Sequence, residues 1–148
     1  MSSEEPYNDT VRRHFANPAH AGDLQAGYPH AVAAEVSESE AGLRILLSAQ
    51  SDGNIIYRLR YRVFGCPHLI AAAEELCSRL EGGPAEGLQD VPVAQLMELL
   101  EVPVEKTGRL LLLEDAANAL HEACCRLLPG NHAGQEKGTK LARKQSKD

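Results

Sequence analysis

The chain has 148 residues, a formal charge of −6 at pH 7, 43% hydrophobic residues, four cysteines and no tryptophan. That length suits one domain with a core of its own, and no apolar run approaches the ~20 residues of a membrane span. The opening MSSEEPYNDT lacks the basic start and apolar stretch of a signal peptide, so a soluble, cytoplasmic protein with reduced thiols is expected.

The charge is unevenly spread. Residues 131–148 carry five Lys and Arg against Glu136 and Asp148, which leaves −9 on residues 1–130. An acidic body argues against nucleic acid as a partner. The stretch NHAGQEKGTKLARKQSKD offers almost nothing apolar to bury, so residues 1–130 are expected to form the domain and 131–148 a disordered basic tail.

In chain order, Tyr7, Val11, His14 and Phe15 stand at helical spacing before Pro18 and Gly22, which predicts a short amphipathic first helix. HAVAAEV reads as a short strand. LRILLSA and IIYRLRYRVF then flank Ser51-Asp52-Gly53-Asn54, and Asp-Gly between two β-type runs predicts a hairpin. In the second run Ile55, Tyr57, Leu59, Tyr61 and Val63 are expected on the packed face, with Ile56, Arg58, Arg60 and Arg62 facing water or a partner.

From Cys66 the period changes to that of a helix, through Leu69, Ile70, Ala73, Leu76, Cys77 and Leu80 to Gly82-Gly83-Pro84. VAQLMELLE after Pro92 predicts a third helix, and a fourth runs from about Lys106 to Leu128 with Leu113, Ala117, Leu120, Cys124 and Leu127 on one stripe. The fold class expected is α+β: a small antiparallel three-stranded sheet with helices packed on one face.

Pro67 suits a first helical position, which makes Cys66 the expected N-cap, where the helix dipole and free N–H groups favour a thiolate. Such a thiolate is a candidate metal ligand or sulfur acceptor. His68 is a candidate second ligand, although positions i and i+2 diverge by about 200° on a regular helix, and its plainer reading is a surface histidine. Cys77 lies about 16 Å along the axis from Cys66 and reads, like Cys124, as a small buried hydrophobe. A nucleophile at Cys66 would need a base, and only His68, His14 or His30 offers itself, so no enzyme is expected.

Taken together, YNDTVRRHFANPAHAGDL, a hairpin ending in FGCPHLIAAAEEL, and VPVEKTGRLLLLEDAANAL resemble the IscU/NifU-type iron–sulfur cluster assembly scaffolds. Tyr7, Val11, His14, Phe15, Asn17, Pro18 and Gly22 match the family's opening stretch. Phe64, Gly65 and Cys66 match its aromatic-Gly-Cys helix start, and Glu114, Asp115 and Ala116 match its last helix. The resemblance implies a cluster held by three cysteines, with an aspartate beside the first and a histidine beside the last. Here Glu40-Ala41-Gly42 stands at the first of those places and Gly108-Arg109 at the last, so Cys66 alone is carried over.

One thiolate cannot hold a [2Fe–2S] or [4Fe–4S] cluster, which takes about four ligands, and zinc meets the same limit. Glu40, Cys66 and His68 would supply three donors if the residue 37–42 loop folded over the helix start. The resemblance therefore implies a divergent scaffold that binds iron, sulfur or a cluster weakly through Cys66 or with ligands shared from elsewhere, zinc being a second choice. It also implies a cysteine desulfurase as partner and an Hsp70-type chaperone reading the loop of Pro103 and Lys106. The alternative is a cluster-less binding module that regulates or bridges a desulfurase and other assembly proteins, with Arg58, Arg60, Arg62 and Arg109 as its basic surface. A monomer or weak homodimer is expected in either case.

Overall fold

A computed structural model describes residues 7–25 and 28–128; the expected basic tail lies outside the described residues. Helix α1 (Asp9–Ala16) starts at Asn8, whose side chain accepts the Val11 N–H at 2.9 Å and donates to the Leu99 carbonyl at 2.9 Å. One asparagine thus caps α1 and ties it to a helix ninety residues on.

Three strands follow as an antiparallel meander: β1 (Ala31–Glu38), β2 (Leu43–Ser51) and β3 (Ile56–Phe64). Register runs from Ala31 opposite Gln50 to Glu38 opposite Leu43, and from Arg44 opposite Phe64 to Gln50 opposite Arg58. The expected three-stranded sheet is present. Leu43, Ile45, Leu47 and Ala49 alternate inward along β2 and are buried under helix α4 (Thr107–Cys125), while helix α2 (Pro67–Leu80) packs on β3. Helix α3 (Val93–Leu100) and two short 3-10 turns, Ala85–Gln89 and Val104–Lys106, complete the layer. No helix of the described residues is long and apolar enough to cross a membrane.

The Asp52–Asn54 turn is built as its residues dictate. Asp52 Oδ1 accepts from the Asn54 and Ile55 N–H groups, and Ser51 Oγ accepts from Gly53 N while donating to the Ile55 carbonyl. Gly53 has φ +98°, and a Cβ there would stand 2.6 Å from Leu128 Cδ2 and 3.2 Å from the Cys124 carbonyl. Gly53→Ala is accordingly expected to destabilise the fold by about 1–3 kcal/mol, read as a lower thermal midpoint; an unchanged midpoint would refute this account of the turn.

The turn also corrects the face assignment in β3. Ser51 pairs with Ile56 and Gln50 with Arg58, so Tyr57 is the extra residue of a bulge. Ile56 is thereby buried and Tyr57 is 53% exposed, the reverse of strict alternation, whereas Leu59 and Tyr61 point inward as expected. Arg58 lies over the Tyr28 ring and Arg62 is exposed, but Arg60 curls over the strand edge to Glu81 at 2.8 Å.

That edge of β3 is closed from Ile56 to Tyr61. Ile56 exchanges hydrogen bonds with Gly82 and Gly83, Tyr61 with His20 and Gly22, the Leu59 N–H reaches Glu81 Oε2, and Arg60 Nη1 donates to the Leu59 carbonyl. Holding the closure is a polar cluster under the sheet. His20 Nδ1 lies 2.6 Å from Glu74 Oε2 and its Nε2 2.8 Å from Glu81 Oε1, while the Tyr61 hydroxyl donates to Glu74 at 3.1 Å. Burial and the nearby Glu74 carboxylate push the Tyr61 phenol well up, so it stays a donor.

Candidate functional site at the start of helix α2

Cys66 caps α2 with extended backbone (φ −88°, ψ 166°), Pro67 takes the first helical position, and the Cys66 carbonyl accepts from Leu69 and Ile70 N–H. Gly65 lets the chain press against the core at this point, since a Cβ there would meet Leu69 Cδ2 at 3.0 Å and Leu43 Cδ2 at 3.2 Å. The helix start is therefore fixed from both sides, and its half-buried sulfur with it.

What faces that sulfur comes from far along the chain. Arg109, in the first turn of α4, donates from Nη1 to Cys66 Sγ at 3.2 Å, and Lys106 stands just before it. Burial works against ionisation of Cys66, but the Leu69 N–H, the Arg109 guanidinium and the Lys106 ammonium together hold its thiol below the ordinary range. Cys77 and Cys124 are fully buried and burial pushes both thiols up, in keeping with their reading as small core residues.

His68 is not the surface histidine its spacing suggests: it is 1% exposed, packed edge-on to the Tyr7 ring at 4.7 Å. Its Nδ1 faces Lys106 Nζ at 3.1 Å, and its Nε2 has no hydrogen-bond partner among the described residues. Burial, then Lys106 and Arg109, hold its pKa down, so the ring is neutral and accepts from the ammonium. The polar residue went inside because Tyr7 and Lys106 close over it from two distant segments.

Glu40 is exposed in the β1–β2 turn and makes no hydrogen bond or ion pair among the described residues. No group of three or more His, Cys, Asp and Glu among those residues is placed to hold a metal ion. Cys66, Lys106, Arg109 and His68 are thus brought together, whereas Glu40 stands apart from them. Pro103 opens the 3-10 turn beside the site, and Val104 behind it is 79% exposed. Arg58 and Arg62 are exposed, Arg58 over the Tyr28 ring, while Arg60 is paired with Glu81. Tyr7 is the site residue that sequence reasoning used for the first helix and the family's opening stretch, and not for the site.

Residues 6–124 match the family described as the NifU-like N terminal domain. The chain is 27% identical over 116 residues to iron sulfur cluster assembly protein 1, mitochondrial, of Schizosaccharomyces pombe, a match that covers 77% of this chain and 60% of that relative. It is 25% identical over 114 residues to the scaffold protein IscU of Rickettsia prowazekii, covering 76% of this chain and 87% of IscU. Among solved structures, a nitrogen-fixing NifU-like protein (N-terminal) from Brucella abortus shares the fold with a TM-score of 0.50 at 17% identity, over 81% of this chain and 84% of that one. With four-fifths of its length on the family's pattern, and the sheet, helix start and last helix all in place, the chain belongs to the NifU-like N-terminal domain family.

Proposed function

We propose that this protein serves iron–sulfur cluster assembly by carrying sulfur on a single thiolate, Cys66, with any cluster completed by ligands from a second protomer or an external thiol. The observation that carries this reading is the Arg109 guanidinium 3.2 Å from Cys66 Sγ. A guanidinium on the sulfur competes with a metal ion for it, and the described residues supply no group of three ligands where a cluster takes about four. A thiolate held between cations suits the opposite traffic. It attacks the outer sulfur of a donor persulfide, R–S–SH; the donor S–S bond breaks, Cys66 becomes the persulfide, and the donor leaves as R–S⁻.

Family membership and the names of the relatives support a cysteine desulfurase as donor. The exposed Val104 between Pro103 and Lys106 supports that turn as a partner segment, an Hsp70-type chaperone being the class the family implies. In this reading the protein is a carrier and not an enzyme, because the sulfur it accepts stays on it until passed to the next acceptor. A second reading, a binding module without sulfur chemistry, draws on the outward Arg58 and Arg62.

Incubation with a cysteine desulfurase and cysteine, followed by peptide mass spectrometry, separates them. One sulfur atom is expected on the Cys66 peptide of the wild type and none on Cys66→Ser. Ferrous iron added anaerobically is expected to give a visible chromophore only when a small thiol is also supplied. An unloaded Cys66 in the presence of an active desulfurase refutes the carrier reading and leaves the binding module, which a pull-down with the desulfurase then tests.

A further inference from the structure

We propose that Lys106 and Arg109 form an anion subsite beside Cys66 that selects small sulfur donors bearing a negative charge, such as carboxylate-carrying persulfides and disulfides. The inference takes its biological meaning from the sulfur-carrier reading and extends it to the class of donor. Its chemistry can be tested without that reading.

The charge balance of the site carries the argument. Arg109 and Lys106 bring two positive charges to one thiolate, and the N-terminal end of the fourteen-residue helix α2 adds a positive dipole end. Four other guanidinium groups are matched by carboxylates, Arg12 by Asp9, Arg44 by Glu35, Arg60 by Glu81 and Arg79 by Glu75, while the exposed Arg58 and Arg62 are not. Among the described residues neither Lys106 nor Arg109 has a carboxylate within ion-pair distance.

Glu105, which precedes Lys106 in sequence, is exposed and makes no ion pair with either. Lys106 is held by a neutral imidazole nitrogen at 3.1 Å and by the face of Tyr7, 5.6 Å from the ring centroid, neither of which cancels its charge. After the thiolate is counted, one full positive charge remains, on side chains fixed by packing. A donor whose carboxylate meets that charge places its sulfur beside Cys66 Sγ.

The chemistry balances without any further reagent. The Cys66 thiolate attacks a disulfide R–S–S–R, the new Cys66–S–S–R bond forms, and R–S⁻ leaves; with a persulfide the outer sulfur is transferred and R–S⁻ leaves in the same way. The departing thiolate gains negative charge next to the same two cations.

The test uses the full chain with Cys125→Ser, because Cys125 is also half-buried and would react. Rates of disulfide exchange at Cys66 are measured with the dianionic reagent 5,5′-dithiobis(2-nitrobenzoate) and the neutral 4,4′-dithiodipyridine. Both reagents read the same thiolate, so the ratio of their rates cancels any change in its ionisation. That ratio is expected to fall about fivefold or more in Lys106→Gln and in Arg109→Gln, to be kept in Lys106→Arg, and to shrink with added salt in the wild type. A ratio unmoved by both glutamine variants, or independent of salt, overturns the subsite. If the ratio behaves as expected while the desulfurase fails to load Cys66, the subsite stands and the carrier reading falls; the reverse pattern keeps the carrier and removes the subsite.

Discussion

Replacing His20 by alanine is expected to lower the free energy of unfolding by about 2–3 kcal/mol, measured from the midpoint and slope of urea denaturation. Glu74 is only 4% exposed, and its carboxylate accepts from His20 Nδ1, the His20 backbone N–H and the Tyr61 hydroxyl. The other ring nitrogen of His20 points at Glu81. One imidazole ring thus bridges two carboxylates, one at each nitrogen.

Alanine removes that ring and leaves a buried carboxylate with the hydroxyl and the backbone N–H alone. Stranding a buried charge entirely costs about 3–5 kcal/mol, and the two bonds that survive place this variant below that range. A double-mutant cycle with Glu74→Gln should return a clear coupling, since the side chains touch. A loss below about 0.5 kcal/mol, typical of an unremarkable surface change, would mean that the cluster is solvated in solution and does not hold the loop.

The second large effect concerns reactivity. In Arg109→Gln, alkylation of Cys66 by iodoacetamide at neutral pH is expected to slow several-fold, followed on the Cys66 peptide so that Cys125 does not interfere. Only the thiolate reacts. The wild-type thiol is held below its ordinary range despite burial because the Leu69 N–H, Arg109 and Lys106 favour the charged form. Taking away Arg109 leaves burial less opposed, so the midpoint of the rate-against-pH curve moves to higher pH. At high pH, where both thiols are ionised, the two rates should converge. A midpoint that stays in place would show that the 3.2 Å contact does not stabilise the thiolate.

Much of the fold was legible in the sequence because its punctuation is local. The hairpin was signalled by Asp52-Gly53, the start of α2 by Cys66-Pro67 and the change of period, and the later helices by the stops at Pro84 and Pro92. The bulge was hidden because Ile55 and Ile56 are both apolar and β-branched, so either could open the packed face of IIYRLRYRV, and it is Ile56, beyond the turn bound by the Ser51 hydroxyl, that is buried.

At the site, the N-cap role of Cys66 was legible and its surroundings were not, because they arrive across 38 and 43 residues of chain. The one sequence signal pairing Arg109 with Cys66 was the family resemblance, which sets an arginine where it implies a thiol. Glu74 had a fainter signal, an acid set among the apolar positions Ile70, Ala73 and Cys77 of α2. His20 had none, since a histidine after Asn-Pro reads as loop.

The two edges of the sheet differ in a way that bears on how copies of this protein can associate. One edge is sealed by His20, Gly22, Glu81 and the Gly82–Gly83 backbone, whereas β1 carries no lysine, proline or bulge to blunt it. A sheet with both edges open can add strands without limit, as fibres do. Here the β3 edge is occupied from Ile56 to Tyr61, so a second copy adding a strand meets the longer open edge at β1, and a pair joined there has used that edge on both copies.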